Sequence, residues 1–335
     1  MSQCKAVKLV RPIDGPPVAE NFAVADIEMP KAGEGQLLTR VLALSLDPYM
    51  GARMRGRHMG GPPPQMGEII FGQGVAQVIE SHAEGFAKGD IVLGETGWAT
   101  HAAVDAKTAF NMPAKELEPS AMTGVAGMPG LTAYASAVKL AKAREGDRVL
   151  VSSAAGPVGG TVGQIARIKG ASKVVGIAGG AEKCAAVVAN YGFDACIDYK
   201  ADGWQEQVAE HFPDGITYYH DNVGGEVLDV ALANLANYGR VVLCGLASAY
   251  QREDGSKPVG PYPGIYIVKR ANILGLVVYD YYDQMAEFNA QAAEWIKSGQ
   301  LRYMEDSVTD IADTPALFGK LMAGTNIGKT VVKLA

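Results

Sequence analysis

The sequence is poor in cysteine and has no concentrated block of basic residues. Its four cysteines, at positions 4, 184, 196 and 244, are too few and too scattered for a disulfide scaffold, and none has metal-ligand spacing such as C-x-x-C. Acidic residues outnumber basic ones 36 to 30, for a formal net charge of −6. We therefore expect a reducing, cytoplasmic setting, no bound metal, and no nucleic-acid partner, which would need a basic patch.

Long apolar runs are also lacking. Residues 1–12 contain no apolar stretch of the kind found in signal peptides. Two windows without charge, 119–138 and 149–166, are interrupted by glycine, serine, threonine and proline, which is not typical of a lipid-facing helix. We therefore expect no membrane partner.

Glycine, by contrast, is abundant. The chain has 41 glycines in 335 residues, well above the average of about 7%. With only 17 prolines and no G-X-Y period, the sequence is neither collagen-like nor of low complexity. The glycines therefore belong to a folded protein, where each serves a local backbone role.

The chain changes character near residue 125. Before that point, short runs rich in β-branched and apolar residues are separated by Gly, Pro and Asp, which is typical of a sandwich or barrel-like unit. After it, strand-like and helix-like stretches alternate, which predicts a parallel sheet covered by helices. Six strands are the number in a complete dinucleotide-binding sheet. The predicted fold class is therefore α/β, with a doubly wound parallel sheet beside a β-rich part.

The predicted strands of the first part are 4–10, 36–46, 68–79, 89–94 and 99–104. Those of the second part are 148–152, 173–178, 195–198, 216–221, 240–245 and 273–278. The helices predicted between them are 158–169, 181–191, 203–211 and 225–235. A helix around 314–323 precedes a last strand at 330–334, which can return to the N-terminal part.

The sharpest local signal lies in residues 148–170, where a predicted strand runs through a tight glycine turn into a helix. The turn has the pattern Ala154-x-Gly156-x-x-Gly159, with Gly163 further along the helix. Gly156 allows close approach of a pyrophosphate, and Gly159 allows the helix to pack against the strand. The N–H groups and dipole of the helix N-terminus attract the anion. An ordinary turn between strand and helix is the alternative.

The end of the second strand bears on the choice of dinucleotide. Sites for NAD place an Asp or Glu there to bind the ribose 2′-hydroxyl. Here Ala178, Gly179 and Gly180 occupy the tip, and Lys183 follows shortly after. Glycines leave room for a 2′-phosphate and a lysine supplies positive charge, so the sequence favours NADP. A solvated helix residue is the alternative for Lys183.

Two further glycine clusters stand at predicted strand ends. Residues 219–229 end a strand with Asp221 and Asn222 and begin a helix after Gly224, and residues 241–250 contain Gly245. Ligands of such sheets bind outside the carboxyl ends of the strands. A helix cap for Asn222 and a plain turn for Gly245 are the alternatives.

Several segments together resemble one family. They are SLDPYM (45–50), GMPGLTAYASAV (127–138), SSAAGPVGGTVGQIARIKG (152–170), GFDACIDYK (192–200), DNVGG (221–225), GRVVLCGLASAY (239–250) and NIGKTVVK (326–333). In this order and spacing they resemble the zinc-independent medium-chain dehydrogenase/reductases. Within this family the chain looks like the group of prostaglandin reductases (leukotriene B4 12-hydroxydehydrogenases), plant alkenal double-bond reductases and bacterial curcumin reductases.

The resemblance implies a fold, a cofactor and a reaction. Residues 1–124 and 305–335 would form a GroES-like catalytic domain, and residues 125–304 a Rossmann domain that binds NADPH. Hydride would pass to the β-carbon of an α,β-unsaturated ketone or aldehyde, and the enolate would be protonated at the α-carbon. The resemblance also implies a homodimer.

The resemblance also implies cofactor contacts, by motif. Gly156, Pro157, Val158 and Gly159 would cradle the pyrophosphate, and Lys183 and Tyr199 would bind the 2′-phosphate region. The other implied contacts, at strand ends and one C-terminal turn, are Asn222, Cys244, Gly245, Leu246, Ala247, Ser248, Tyr250, Leu276, Val277, Val278 and Asn326. Pro157 lacks the N–H of a phosphate donor, although its fixed φ suits the start of a helix.

The substrate oxygen needs a donor, because hydride addition builds negative charge on it. Tyr49, Tyr262 and Tyr266 are the candidate phenols. Many relatives carry a tyrosine at the place of Val268, so which phenol serves is left open, and core or rim packing is the alternative for all three. The loops 53–65 and 249–263 are expected to shape the pocket.

Zinc chemistry lacks ligands in this sequence. Ser45-Leu46-Asp47 stands near the place where zinc alcohol dehydrogenases have a cysteine, and no second Cys or His follows at suitable spacing. Two alternatives to an enone or alkenal reductase stay open, namely an NADPH quinone reductase on the same fold and a non-catalytic NADPH-binding protein.

Overall fold

The computed structural model describes residues 4–57, 61–250 and 260–334. Residues 58–60 and 251–259, which belong to the two predicted pocket loops, lie outside this part. The chain divides into two compact units. Met1–Met128, Gln284–Ala293 and Glu305–Ala335 form the first, called here the β-rich unit. Pro129–Asp283 and Glu294–Met304 form the second, called the Rossmann unit.

The strands of the described residues are β1 (Cys4–Leu9), β2 (Phe22–Ile27), β3 (Gln36–Leu46), β4 (Gln73–Ser81), β5 (Ile91–Glu95), β6 (His101–Asp105), β7 (Phe110–Asn111), β8 (Arg148–Ser152), β9 (Lys173–Ala178), β10 (Ala195–Asp198), β11 (Ile216–Asp221), β12 (Leu235–Leu243), β13 (Asn272–Gly275), β14 (Glu305–Val308) and β15 (Lys329–Lys333). The α-helices are α1 (Pro48–Met54), α2 (Pro119–Thr123), α3 (Met128–Tyr134), α4 (Pro157–Ile168), α5 (Ala181–Tyr191), α6 (Trp204–His211), α7 (Gly225–Ala233), α8 (Ala247–Tyr250), α9 (Gly264–Lys269), α10 (Met285–Lys297) and α11 (Thr314–Met322). None of the described helices is long and apolar enough to span a membrane.

The β-rich unit contains a seven-stranded sheet in the order β14-β15-β3-β4-β5-β7, with β6 also paired to β3. The last strand, β15, runs antiparallel to β3 with Val332 opposite Leu44, which confirms the predicted return of the C-terminal strand to the N-terminal part. Strands β1 and β2 form a separate antiparallel pair. The core includes Trp98 and Phe318, whose ring centroids lie 5.0 Å apart.

The Rossmann unit contains a six-stranded sheet in the order β10-β9-β8-β11-β12-β13, and all of its strands are parallel. In order of appearance this is 3-2-1-4-5-6, the order of a doubly wound dinucleotide-binding sheet. The predicted fold class is therefore confirmed. The order reverses between β8 and β11, and at this switch point the crevice for a ligand opens outside the carboxyl ends.

In the part of the chain that the structure describes, the strands β2, β7 and β14 and the long helix α10 were not predicted. Strand β14 has the polar sequence EDSV and is recognisable only by its pairing with β15. Helix α10, however, did carry a local signal, since Met285, Phe288, Ala292 and Trp295 have helical spacing and are all buried. Strand β12 begins at Leu235, earlier than the predicted residue 240, because Leu235 already pairs with Ile216.

Candidate cofactor and active site

The glycine turn after β8 ends in an uncapped helix N-terminus. Gly156 is the N-cap residue of α4, with φ −85° and ψ 167°, and no side chain caps the helix there. Pro157 is in the first turn of α4, which confirms that its ring suits the helix start. The first-turn N–H groups of a helix, here those of Val158 and Gly159, have no acceptor within the helix. They and the helix dipole can bind an anion such as a pyrophosphate.

The glycines of α4 differ in their role. A Cβ on Gly159 would lie 2.5 Å from the carbonyl oxygen of Ser153, so only glycine allows this helix start to pack on the turn. A Cβ on Gly163 would lie 2.1 Å from the Phe193 ring, and one on Gly160 would lie 2.2 Å from the Tyr191 ring. The glycine cluster is therefore not all bare backbone for a ligand, because Gly160 and Gly163 make room for aromatic side chains.

The tip of β9 lies beside the end of β10. The N–H groups of Gly180 and Lys200 donate to Oδ1 of Asp198, at 2.7 Å and 2.9 Å. The Tyr199 ring covers Gly179, where an added Cβ would lie 2.8 Å from it and 3.1 Å from Lys200 Cε. Sequence reasoning named Tyr199 but missed Asp198 and Lys200, although both belong to the quoted motif 192–200. Asp198 holds the turn, and Lys200 adds a cation to it.

Lys183 lies in the first turn of α5, directly after the tip of β9, and it is half-buried. The β9 tip therefore carries the predicted Gly179, Gly180 and Lys183, and beside it lies Lys200, which was not predicted. A phosphate group carries the complementary charge, and glycines leave space for it.

Across the switch point, the ends of β8 and β11 are joined by hydrogen bonds. The N–H of Asn222 donates to Ser152 Oγ at 2.8 Å, and Asn222 Nδ2 donates to the Ser152 carbonyl oxygen at 2.9 Å. Ser152 Oγ in turn donates to Asp221 Oδ1 at 3.0 Å. Oδ1 of Asp221 also accepts from the Tyr219 hydroxyl at 2.6 Å. Asn222 is thus placed beside the glycine turn by its own backbone and side chain.

Asp221 also organises the turn that follows β11. Its carboxylate accepts from the N–H groups of Val223 and Gly224, at 3.1 Å and 3.0 Å. Burial raises the pKa of this carboxyl, and the hydrogen bonds from Tyr219 and the turn oppose that rise. Because the group is fully buried, we assign it to the structure of the turn rather than to a ligand.

The end of β12 is tied to the same turn. The N–H groups of Cys244 and Gly245 donate to the Asp221 carbonyl oxygen, at 2.8 Å and 3.1 Å. The N–H of Ala247 donates to the Asn222 carbonyl oxygen at 3.0 Å, and Ser248 Oγ donates to a neighbouring carbonyl of the same turn at 2.6 Å. Burial raises the pKa of the Cys244 thiol to about 12, so this cysteine stays protonated at neutral pH.

The remaining predicted residues of the Rossmann unit lie at neighbouring strand ends. Tyr250 closes α8, where its hydroxyl accepts from the N–H of Leu246 at 3.3 Å. Leu276 is buried after β13 and its N–H donates to the Leu243 carbonyl oxygen at 2.9 Å. Val277 follows it, and Val278 begins a short 3-10 helix. These positions follow the carboxyl ends of β12 and β13.

The three candidate phenols have different environments. Tyr262 precedes α9 and is 83% exposed. Tyr266 lies on α9 and packs partly against the core of the Rossmann unit. Tyr49 lies on α1 and packs partly against the core of the β-rich unit, which also contains Asn326, in the turn before β15. Nδ2 of Asn326 donates to the Gly328 carbonyl oxygen at 3.1 Å.

A buried ion pair involves Asp47, in the segment Ser45-Leu46-Asp47 that stands near the cysteine position of zinc alcohol dehydrogenases. Lys329 Nζ donates to the Leu46 carbonyl oxygen at 2.6 Å and to Asp47 Oδ1 at 3.0 Å. Ser45 Oγ donates to the other oxygen of Asp47. Burial lowers the pKa of Lys329, and Asp47 opposes that shift. No group of three or more His, Cys, Asp or Glu side chains suited to a metal occurs among the described residues.

The strand order, the uncapped glycine turn and the tip of β11 define a dinucleotide-binding oxidoreductase fold. Residues 5–112 match the family described as "N-terminal domain of oxidoreductase", and residues 157–298 match "Zinc-binding dehydrogenase". The chain is 38% identical to the NADPH-dependent curcumin reductase of Escherichia coli (strain K12), over 96% of this chain and 94% of that one. It is 37% identical to a 2-alkenal reductase (NADP(+)-dependent) of Nicotiana tabacum, over 90% and 88%.

A solved structure has the same fold. The crystal structure of CurA in complex with NADPH, from Vibrio vulnificus, has a TM-score of 0.88 and 38% identity, and the match covers 99% of each chain. The chain therefore belongs to the medium-chain dehydrogenase/reductases, in the group of the curcumin, prostaglandin and alkenal reductases, and it is an oxidoreductase.

Proposed function

We propose that this protein uses NADPH to reduce the C=C bond of α,β-unsaturated ketones and aldehydes, without zinc. The observation that carries the proposal is the pair of features at the switch point, the uncapped start of α4 and the Asn222 tip of β11. Both face the crevice in which such sheets bind dinucleotides. The names of the relatives, one a curcumin reductase and one a 2-alkenal reductase, support the substrate class.

The choice of NADPH is supported by the second strand. Gly179 and Gly180 carry no side chain that would repel a phosphate, and Lys183 and Lys200 supply positive charge. The Asp198 carboxylate is engaged in the turn, because two backbone N–H groups donate to its Oδ1. The E. coli relative is named as NADPH-dependent, and the CurA structure contains NADPH.

The residues fit the cofactor in chemistry. A Cβ on Gly156 would meet only the backbone and side-chain oxygens of Ser153, at 3.3 Å and 3.5 Å, so its absence opens the turn on that side. The start of α4 would hold the pyrophosphate, Asn222 would hydrogen-bond near the other end of the cofactor, and Lys183 and Tyr199 would hold the 2′-phosphate. When bound, NADPH supplies hydride to the β-carbon of the substrate.

The chain's own contribution to the reaction is electrostatic. As the β-carbon gains hydride, the electron pair of the C=C bond moves toward the carbonyl, and negative charge develops on its oxygen. A phenol that donates a hydrogen bond to this oxygen stabilises the enolate. Tyr262, Tyr266 and Tyr49 are the candidates, and the exposure of Tyr262 makes its hydroxyl accessible to a ligand. Protonation of the α-carbon completes the reduction.

A single screen tests the proposal. NADPH oxidation is measured with 2-alkenals, enones and benzoquinones, and each reaction is repeated with NADH. We expect turnover of alkenals or enones with a strong preference for NADPH. Turnover of quinones alone would instead identify a quinone reductase, and NADPH binding without any turnover would identify a binding protein. Equal efficiency with NADH would contradict the cofactor assignment.

The proposal has three further parts. Residues 1–124 with 305–335 form the GroES-like catalytic domain and residues 125–304 the NADP-binding domain. The protein works in the cytoplasm, which its four free thiols favour.

The third part is that the protein is a homodimer. Strand β13 is the last strand of the described parallel sheet, and Ile267 and Val268 of the adjacent α9 are exposed. Sedimentation velocity tests the last part, with Ile267→Glu expected to give monomers.

A further inference from the structure

A line of polar side chains runs through the Rossmann unit and ends at Asn222. Tyr218, His220 and Asn222 lie on one face of β11 and its extension, because alternate residues of a strand point the same way. The Tyr218 hydroxyl lies 2.8 Å from Ser136 Oγ, which lies 2.6 Å from His220 Nδ1. His220 Nε2 lies 3.2 Å from Asn222 Oδ1. Tyr218, Ser136 and His220 are completely buried.

The direction of every hydrogen bond in this line follows from one backbone carbonyl. The Ser152 carbonyl oxygen can only accept, so the Asn222 atom 2.9 Å from it is the amide nitrogen. Asn222 Oδ1 therefore faces His220, and Nε2 of His220 must carry the proton that is donated to it. A neutral imidazole protonated on Nε2 accepts at Nδ1, so Ser136 donates to His220.

The line is completed by Tyr218 and by the charge state of His220. Because the Ser136 hydroxyl donates its hydrogen bond to His220, Ser136 Oγ accepts from the Tyr218 hydroxyl. Each donor in the line therefore faces an acceptor. Burial lowers the pKa of His220 to about 4, which keeps the ring neutral at physiological pH. A neutral ring is what the assigned tautomer requires.

The result at the end of the line is an amide in a single orientation. Asn222 accepts from His220 through Oδ1 and donates to Ser152 through one N–H of Nδ2. The second N–H of Nδ2 meets no acceptor among the described residues, and Asn222 is half-buried at the carboxyl end of β11. An amide rotated by 180° would place its oxygen against the Ser152 carbonyl oxygen, which is repulsive.

We infer that His220 is a positioning residue, which acts through Asn222 to present one amide N–H to a hydrogen-bond acceptor of the bound dinucleotide, a hydroxyl or carboxamide oxygen. The inference rests on the proposed function, because that function places the dinucleotide at this edge of the sheet. His220 itself touches neither cofactor nor substrate in this arrangement. The Ser152 carbonyl selects the orientation of the Asn222 amide, and His220 holds the amide there by donating to Oδ1 before the ligand binds, which removes an ordering cost from binding.

The test compares NADPH binding by substitutions along the line. The dissociation constant is measured by titration of the full-length protein at a temperature where circular dichroism shows each variant folded. His220→Phe removes the donor to Asn222, and we expect it to raise the NADPH dissociation constant about 10-fold, the effect of one lost hydrogen bond with its orientation. His220→Gln can donate from its amide nitrogen, and we expect it to restore binding to within about threefold of wild type.

Tyr218→Phe is the matched control. It removes a buried hydrogen bond of the same line but leaves both hydrogen bonds on Asn222, so its melting temperature falls while its NADPH dissociation constant stays within about twofold. If His220→Phe fails to fold, Ser136→Ala replaces it. This substitution removes the hydroxyl that, by donating to Nδ1, favours the Nε2-protonated tautomer, and we expect the NADPH dissociation constant to rise about threefold.

A spectroscopic readout accompanies the binding data. The chain has five histidines, so the nitrogen-15 signals of His220 are those absent in His220→Gln. We expect them to report a neutral ring protonated on Nε2, and a ring protonated on Nδ1 would overturn the inference. Equal NADPH affinity for wild type and His220→Phe, with only a lower melting temperature, would also overturn it. Failure of the wild-type protein to bind NADPH would instead overturn the proposed function.

Discussion

The ammonium of Lys329 lies 3.0 Å from Oδ1 of Asp47 inside the β-rich unit, and both side chains are almost completely buried. Asp47 is the N-cap residue of α1, yet its carboxylate does not cap that helix, because Lys329 and Ser45 take its oxygens. The pair therefore joins the last strand of the chain to the start of the helix that carries Tyr49.

Removal of one partner of this pair should be strongly destabilising. Lys329→Met leaves the Asp47 carboxylate buried without a counter-charge, and we expect it to lower the free energy of unfolding by about 3–5 kcal/mol. The exposed pair Lys115–Asp90, at 3.2 Å, is the control. Lys115→Met should change stability by less than about 1 kcal/mol. Urea denaturation measures both, and similar effects of the two substitutions would contradict the assignment of a buried pair.

The packing role of Gly163 can be tested against another helical glycine. Gly163→Ala places a methyl group against the Phe193 ring, so we expect the free energy of unfolding to fall by about 1–3 kcal/mol. For Gly319→Ala on α11, no atom outside the adjacent residues and the backbone of that helix lies within 4 Å of the added Cβ. It should stabilise the protein by up to about 1 kcal/mol, through helix propensity. If both substitutions were neutral, the close contact with Phe193 would not be a constraint.

The preference for NADPH should depend on the cations beside the β9 tip. Lys183→Ala removes a charge-assisted contact with a 2′-phosphate, so we expect the ratio of kcat/KM for NADPH to that for NADH to fall about 10-fold. The change should lie in NADPH alone, because NADH has no 2′-phosphate. Lys169→Ala, an exposed lysine at the far end of α4, is the control. A parallel loss with both cofactors would show that Lys183 has a structural role instead.

A phenol that stabilises the enolate oxygen should affect turnover more than folding. Tyr262→Phe or Tyr266→Phe should lower kcat by about 10-fold or more, in line with the loss of one donor to a developing oxyanion. Steady-state kinetics with an enone measures this, and Tyr238→Phe, which removes an exposed hydroxyl on β12, is the control. Near-wild-type turnover in both Tyr262→Phe and Tyr266→Phe would reject phenol donation from this segment.

His220 should contribute to the acid sensitivity of the fold. Burial lowers the pKa of His220 to about 4 in the folded protein, whereas in the unfolded chain the pKa has the ordinary histidine value of 6.5. As the pH falls below 6.5, the unfolded chain takes up a proton that the folded protein does not, so stability present above that pH is lost progressively toward pH 4. Between pH 7.5 and 5 the wild type should therefore lose about 2 kcal/mol more than His220→Gln. Urea denaturation at the two pH values measures the difference, and equal losses would show that His220 titrates normally.

Local sequence predicted most of the Rossmann unit. The strands at 148–152, 173–178, 195–198 and 216–221 have their predicted bounds, because each is a short run rich in apolar, β-branched or aromatic residues between polar or glycine-containing turns. Helix α4 follows its glycine turn for the same local reason. Strand β14 could not be predicted in this way, since its polar residues form a strand only through the partner strand β15.

The candidate site was predictable in part. The pattern around Gly156 indicates an anion-binding turn, and its chemistry depends only on neighbouring backbone. The pattern did not distinguish the role of Gly156 from that of Gly163. Gly163 is required by its close contact with the Phe193 ring, and Phe193 lies later in the chain. Lys200 and Asp198 were within a quoted motif, but their contact with Gly179 and Gly180 appears only when β10 lies beside β9.

The sequence by itself determined the fold class, the glycine turn and the family, because these depend on the period of apolar residues and on short ordered motifs. Only the tertiary structure decided which buried polar groups meet. Ser136 reaches His220 across 84 positions of the chain, and Lys329 reaches Asp47 across 282. No local pattern specifies such pairs, because a buried polar atom takes whichever partner the packed chain brings within hydrogen-bond distance.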